Sequence, residues 1–210
     1  MPTLVFTSRI LHADNFLVAA DKPAGLLAVP GRGDAKQDCL WARVRVDWPD
    51  ALVVHRLDQA TSGVMLFARG AAVQRALSAA FEQRRVVKRY EAVVAGVVAD
   101  DTGTIDLPLA ADWPNRPRQQ VERERGRPSL THWRVLAREA ATTRLALEPV
   151  TGRSHQLRVH CAAIGHPIVG DTLYGGEGMD APRLLLHAAA ITIAHPQGGT
   201  SLHVECPIPF

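Results

Sequence analysis

Apolar residues recur along this chain in two periods, and the changes from one to the other outline its elements. Between 71 and 84, Val73, Ala76, Leu77, Ala80 and Phe81 fall at spacings of three and four, which predicts an amphipathic helix. A shorter helix is predicted over 37–46. Strands are predicted where β-branched and apolar residues gather between turn formers. The first is Phe16 to Ala20, in a meander over 9–29 whose turn chemistry comes from Asp21-Lys22-Pro23-Ala24-Gly25. Val53-Val54 and Val64 to Phe67 read as short buried strands, and Val86 to Val98 as one long strand bent at Gly96 and carrying Tyr90. Two strands near 130–138 and 143–149 make a hairpin around Glu139 to Thr142. A third helix is predicted with Ser154 as its N-cap, Gly165 as its stop and Leu157, Cys161 and Ile164 on its buried face. Short apolar runs at Leu184 to Leu186 and Ala188 to Ile193 end the pattern, while 99–128 holds too many Pro and Gly residues for regular structure. No internal repeat or linker marks a domain boundary, and 210 residues at 47% hydrophobic suit one catalytic domain.

Bulk charge changes this picture little. Twenty-four basic against 21 acidic residues leave a net +3, so affinity for a polyanion must come from local clusters. Arg84, Arg85, Lys88 and Arg89 form one, at a helix-to-strand junction. Arg116, Arg118, Arg123, Arg125 and Arg127 form another, in the Pro-containing segment. Cys39, Cys161 and Cys206 are odd in number and widely spaced, which argues against a disulfide framework or thiolate zinc site and for a reduced, cytoplasmic setting. There is no secretory signal pattern, and no apolar run approaches the ~20 residues of a membrane helix.

The segment with the most chemistry is His55-Arg56-Leu57-Asp58-Gln59-Ala60-Thr61-Ser62-Gly63, a charged connection held between two buried strands. Such a loop can aim one carboxylate, Asp58, although an Arg/Asp pair in a turn is often no more than a surface brace. Nucleotide-binding, hydrolase-elbow and zinc-protease motifs are all absent. His155, His160, His166 and His187 lack the spacing and companions of a metal site and read as structural. Three activities fit these residues: catalysis by a lone carboxylate, RNA binding without catalysis, or glycoside hydrolysis, which ordinarily needs a second carboxyl group nearby.

Five segments, His55 to Gly63, Lys88-Arg89-Tyr90, Gly152 to His160, Gly165 to Asp171 and Arg183 to Ala188, resemble the RluA family of pseudouridine synthases in order and spacing. The resemblance covers nearly the whole chain. Asp106 to Leu109 and the Asp112 to Pro117 run look closer still to the short member of that family that acts on both tRNA and ribosomal RNA. It implies an α+β fold, a mixed and largely antiparallel sheet flanked by helices with a central active-site cleft. It also implies one catalytic domain over 1–210 with no amino-terminal S4-type domain. The activity implied is isomerisation of uridine to its C-glycoside in structured RNA, at the first nucleotide of a tRNA anticodon loop and in a large-subunit ribosomal stem-loop, or in only one of these. Nothing is oxidised or lost, so neither metal nor organic cofactor is required.

Asp58 is then the nucleophile or base, in a reaction that proceeds by attack on the sugar, addition to the base, or removal of a sugar proton. Arg56 stacks where the flipped nucleotide was, at a site where eversion costs a few kcal/mol. Tyr90 offers a flat face to the uracil. Arg158 pairs with Asp58 and keeps it charged, while Arg153 serves RNA phosphates or the loop. The basic clusters and 112–127 form the RNA groove, with Trp113 as a packing anchor. The partners implied are tRNA and rRNA stem-loops, for a cytoplasmic monomer without membrane attachment.

Overall fold

The computed structural model describes residues 9–176 and 181–210. In chain order its elements are β1 Ile10–Ala13, β2 Leu17–Lys22, α1 Leu40–Asp47, β3 Ala51–Val53, β4 Ser62–Arg69, α2 Ala71–Glu82, β5 Val87–Ala95, β6 Thr102–Asp106, β7 Leu109–Ala111, β8 Gln119–Val121, β9 Leu130–Arg138, β10 Thr142–Pro149, α3 Gln156–Ala163, β11 Leu186–Ala194 and β12 Ser201–Glu205. The class is α+β, as the resemblance implies. These elements gather in two compact units, one drawn from residues up to Val86 with Ala190–Pro207, the other from Val87–Ala189 with Ile208–Phe210.

In the first unit β2 and β4 pair antiparallel, from Leu17 opposite Ala68 to Lys22 opposite Gly63. β1 extends β2 and β3 extends β4, with Val53 opposite Phe67. Leu17 to Ala20 and Met65 to Ala68 are without exposure, which is why these strands are continuous apolar runs rather than alternating ones: both faces are covered. Each fully buried Leu or Phe here contributes roughly 1.5–3 kcal/mol. Helix α2 lies on β3 and β4 through the buried Leu77, and the Gln74 amide donates to the Val53 carbonyl at 2.9 Å. Its apolar stripe is narrower than the sequence predicts, for Ala76 faces solvent.

The second unit is an antiparallel run in the order β5-β10-β9-β6. The predicted hairpin turn is present, with the Glu139 N–H on the Thr142 carbonyl at 2.8 Å. β5 ends at Ala95, before the Gly96 bend, because Gly96 takes a positive φ of 78° and its N–H goes to Ala141.

The segment 99–128 corrects the expectation of an irregular loop, for it contains β6 and a β7–β8 hairpin, Leu109 opposite Val121. Pro114 and Pro117 lie in the connection between β7 and β8, where no ladder N–H is needed, so they do not disturb the pairing. That connection is closed on itself: Asp112 N–H reaches Arg118 O at 3.0 Å, and the Asn115 amide donates to the Asp112 carboxylate. Behind the hairpin a Cβ on Gly126 would meet the Glu122 carbonyl oxygen at 2.1 Å, so only glycine fits there.

At one end of the first unit the Asp14 carboxylate takes the Phe16 and Leu17 N–H groups together with His12 Nε2 at 2.8 Å and His195 Nε2 at 2.9 Å. Burial alone would raise Asp14, but these partners outweigh it and hold its carboxyl well below the usual range. Asp14 in turn raises His195 above its ordinary value. A raised histidine adds stability that is complete below its unfolded value near 6.5 and is lost as pH rises through the folded value; the lowered Asp14 adds stability above 3.8 that is lost on acidification. The cluster therefore stabilises most between those limits. We expect Asp14→Asn to lower the melting temperature more at about pH 5.5 than at about pH 9, followed by calorimetry; an equal drop at both would show that the histidine charge is not involved.

Candidate active site

The loop from Val54 to Thr61 is irregular, yet it is pinned at several points inside the first unit. His55 Nε2 accepts the Leu66 N–H at 2.9 Å, and the ring stacks on Phe81 of α2 with centroids 4.6 Å apart. This fastens the loop's start to β4 and α2. Farther on, the Gln59 carbonyl receives the Gly25 N–H at 2.8 Å, and the Gln59 amide answers by donating to the Gly25 carbonyl at 2.9 Å. Gly25 has φ 85°, a conformation that glycine adopts at little cost. The Thr61 N–H returns to the Asp58 carbonyl at 3.1 Å and closes the turn.

The deepest fixing is Lys22. This side chain has 0% exposure, and its Nζ donates to the carbonyls of Pro23 at 3.0 Å, Leu26 at 2.7 Å and Gln59 at 3.0 Å. A buried lysine satisfied by backbone oxygens is an expensive arrangement, and here it ties two loops together one residue from Asp58. Leu57 is buried, which sends its neighbours outward: Arg56 is exposed and Asp58 half-buried.

In the second unit Tyr90 is half-buried on β5, opposite Leu147 of β10. Arg158 is on α3, which is buried on nearly every side from Gln156 to Cys161, a wider burial than the predicted Leu157, Cys161 and Ile164 face. Its polar residues are paired. The Gln156 amide donates to Leu130 O and Thr131 Oγ1, each at 3.0 Å, while its oxygen accepts from Thr151 Oγ1 at 2.7 Å and the Arg153 N–H at 3.0 Å. His160 donates through Nε2 to the Leu107 carbonyl at 3.0 Å and accepts from Thr131 Oγ1 at 2.9 Å; burial lowers its pKa. The helix starts later than predicted: its N-cap is His155, with φ 54° and ψ 16°, not Ser154.

Arg158 gives Nε and Nη2 to the two oxygens of Asp171, at 2.7 Å and 2.6 Å, a bidentate pair with side-chain exposures of 4% and 0%. Burial by itself would raise Asp171, but the Arg158 hydrogen bonds and charge, with the Leu173 and Tyr174 N–H groups, hold its carboxyl below the usual range. The sequence reading placed Asp171 in a motif and gave it no role. Lys22 and Gln59 were likewise passed over, one as turn chemistry and the other as a variable loop position.

The basic residues Arg116, Arg118, Arg123, Arg125 and Arg127 are all exposed. Trp113 is no packing anchor: it is 65% exposed, with the Arg116 guanidinium 3.4 Å above its ring centroid. Trp113 lies in the exposed connection between β7 and β8, where its ring meets a cation instead of a pocket. Arg153 points its Nε at the Pro128 carbonyl at 3.4 Å, which ties it to the end of that loop. His155, His160 and His166 each have hydrogen-bond partners, and the three cysteines are buried thiols, with Cys161 and Cys206 pushed up to about 12 by burial.

A family model described as RNA pseudouridylate synthase matches residues 16–163. The chain is 50% identical over 201 residues to the dual-specificity RNA pseudouridine synthase RluA of Vibrio cholerae, covering 94% of this chain and 82% of that protein. It is 47% identical over 204 residues to the enzyme of the same name from Escherichia coli K12, covering 96% and 93%. The chain belongs to the RluA family of pseudouridine synthases. Among solved structures, the human RNA pseudouridylate synthase domain containing 1 superposes with a TM-score of 0.83 at 30% identity, covering 100% of this chain and 87% of that one.

Within this synthase, the observed contacts give Lys22 a measurable weight. We expect Lys22→Met to destabilise the protein by roughly 1–3 kcal/mol in urea unfolding, since the part-buried carbonyls of Pro23, Leu26 and Gln59 lose a charged donor while Gln59 keeps the Gly25 N–H. A loss below about 0.5 kcal/mol would mean that water replaces the amine, and that this contact does not hold the Asp58 loop.

Proposed function

We propose that this synthase converts uridine to pseudouridine in both a tRNA anticodon stem-loop and a ribosomal RNA stem-loop, with Asp58 as nucleophile or base. What supports the reading most is the fixing of the Asp58 loop: Lys22, His55 and Gln59 hold the backbone on both sides of a half-buried carboxylate, two residues after the exposed Arg56. Preorganisation of this kind is what a carboxylate needs to meet a sugar carbon or base at short range. The isomerisation breaks the bond from the sugar carbon to the base nitrogen, turns the base and joins the same sugar carbon to a ring carbon, whose proton leaves while the freed nitrogen takes one up. Along that path Asp58 either gives an electron pair to the sugar carbon or the base, in a bond that is broken again as the C-glycoside forms, or accepts a proton from the sugar that is later returned.

Arg56, exposed and two residues before Asp58, fills the place of the everted nucleotide. Tyr90 supports the uracil face, and Arg158 supplies positive charge for the reacting carboxylate. The exposed arginines of 112–127 meet phosphates and fix the register of the stem-loop. No cofactor enters this scheme, and the enzyme acts as a cytoplasmic monomer without a membrane anchor. Among the described residues no helix is long and apolar enough to cross a membrane.

Asp58→Asn keeps size and most hydrogen bonding but removes the charge. Pseudouridine formation on either stem-loop should fall by at least about 10³-fold while RNA binding persists, as read by single-turnover product assays and filter binding. Ordinary turnover in the variant would end the assignment. Turnover on one RNA alone by the unaltered enzyme would restrict the substrate claim and leave the chemistry standing.

A further inference from the structure

Tyr174 lies three residues after Asp171, outside the motifs singled out in the sequence, and its contacts radiate in three directions within the second unit. Its ring faces the Arg158 guanidinium, 5.1 Å from Cζ to the centroid, and the Arg118 guanidinium at 5.4 Å. Both distances are within the range of a cation over an aromatic face. Its hydroxyl accepts the Gln119 N–H at 2.7 Å and lies 2.7 Å from His155 Nδ1, the residue that caps α3. Its own N–H is held by the Asp171 carboxylate at 3.1 Å, the same carboxylate that grips Arg158. Burial raises the phenol's pKa, so it stays protonated and can donate to His155 while it accepts from Gln119.

We propose that Tyr174 is a positioning residue that holds the Arg158 guanidinium in its working orientation through its ring and orders the basic β7–β8 connection through its hydroxyl. The proposal rests on the reading of Arg158 given above, and it assigns Tyr174 no contact with RNA.

The physical reasoning separates the two parts of the side chain. Asp171 holds two of the guanidinium nitrogens through parallel hydrogen bonds, and the Tyr174 ring packs against the group they form, limiting its movement out of that pairing. Gln119 is the first residue of β8, so anchoring its N–H fixes the exit of the connection that carries Arg116 and Arg118. The Arg118 guanidinium lies over the same ring. A stem-loop that orders this connection thereby meets an Arg158 that is already oriented, and no large movement is required.

The test splits binding from chemistry. Tyr174→Phe keeps the ring and removes the hydroxyl; its single-turnover rate at saturating stem-loop should stay within about threefold of the unaltered enzyme, while RNA affinity weakens about fivefold. Tyr174→Leu removes the ring and should slow that rate by about tenfold or more at saturation. Near-UV circular dichroism on each variant confirms the fold. A role in packing alone would shift melting temperature without dividing the two parameters in this way.

Arg158→Ala is measured beside them. If it is slow while Tyr174→Leu runs at full speed, the present inference is overturned and the reading of Arg158 survives. If Arg158→Ala is itself as fast as the unaltered enzyme, both fall. Should Tyr174→Leu fail to fold, the cycle of Arg118→Ala with Tyr174→Phe decides: a combined affinity loss no greater than the larger single loss supports a shared element, and losses that simply multiply overturn it.

Discussion

A buried lysine amine shared among three backbone carbonyls is the constraint on which the Asp58 loop depends. Irregular backbone near a core has to find partners for its own polar groups, and strands on either side cannot supply them all. Lys22 solves this for Pro23, Leu26 and Gln59 at once, from a position at the end of β2 with no exposed surface. The solution is rigid because it is costly to undo. The loop is thus fixed at several separate points, although it has none of a strand's repeating hydrogen bonds.

The second unit reaches the same end by a different route. Helix α3 is buried almost all round, so the residues on it that are not apolar must pair within the protein. Gln156 and His160 tie it to β9 and to the carbonyl of Leu107, and Arg158 is gripped by Asp171. A buried ion pair of this type adds little net stability, since desolvating both charges offsets most of their attraction. Its value is in geometry: two parallel hydrogen bonds fix a guanidinium that would otherwise sample many rotamers. Aromatic and loop contacts through Tyr174 then extend that order to the edge of a strongly basic hairpin.

The basic residues of 112–127 are organised differently again. Five exposed arginines on a hairpin and its connections give local positive potential on a chain whose net charge is only +3. Arg116 over the exposed Trp113 holds one cation close to an aromatic face. Surfaces of this kind attract phosphates without regard to base identity.

Much of this protein was legible in one dimension. The α2 stripe, the apolar runs of β2 and β4, the β9–β10 hairpin and the charged connection carrying Asp58 all follow from periodicity and turn chemistry, because those signals act between near neighbours. The motifs also sufficed for the family. What the sequence did not reveal is what depends on partners far along the chain. Lys22 meeting Gln59 spans 37 positions, Arg158 meeting Asp171 spans 13 and Tyr174 meeting Gln119 spans 55. Nothing local marks a lysine for full burial, an arginine for one carboxylate rather than another, or a short strand among prolines. Composition and spacing decided which groups were available, whereas only the folded backbone decided which of them would be desolvated together, and desolvation is what turns a nearby polar group into an obligatory partner.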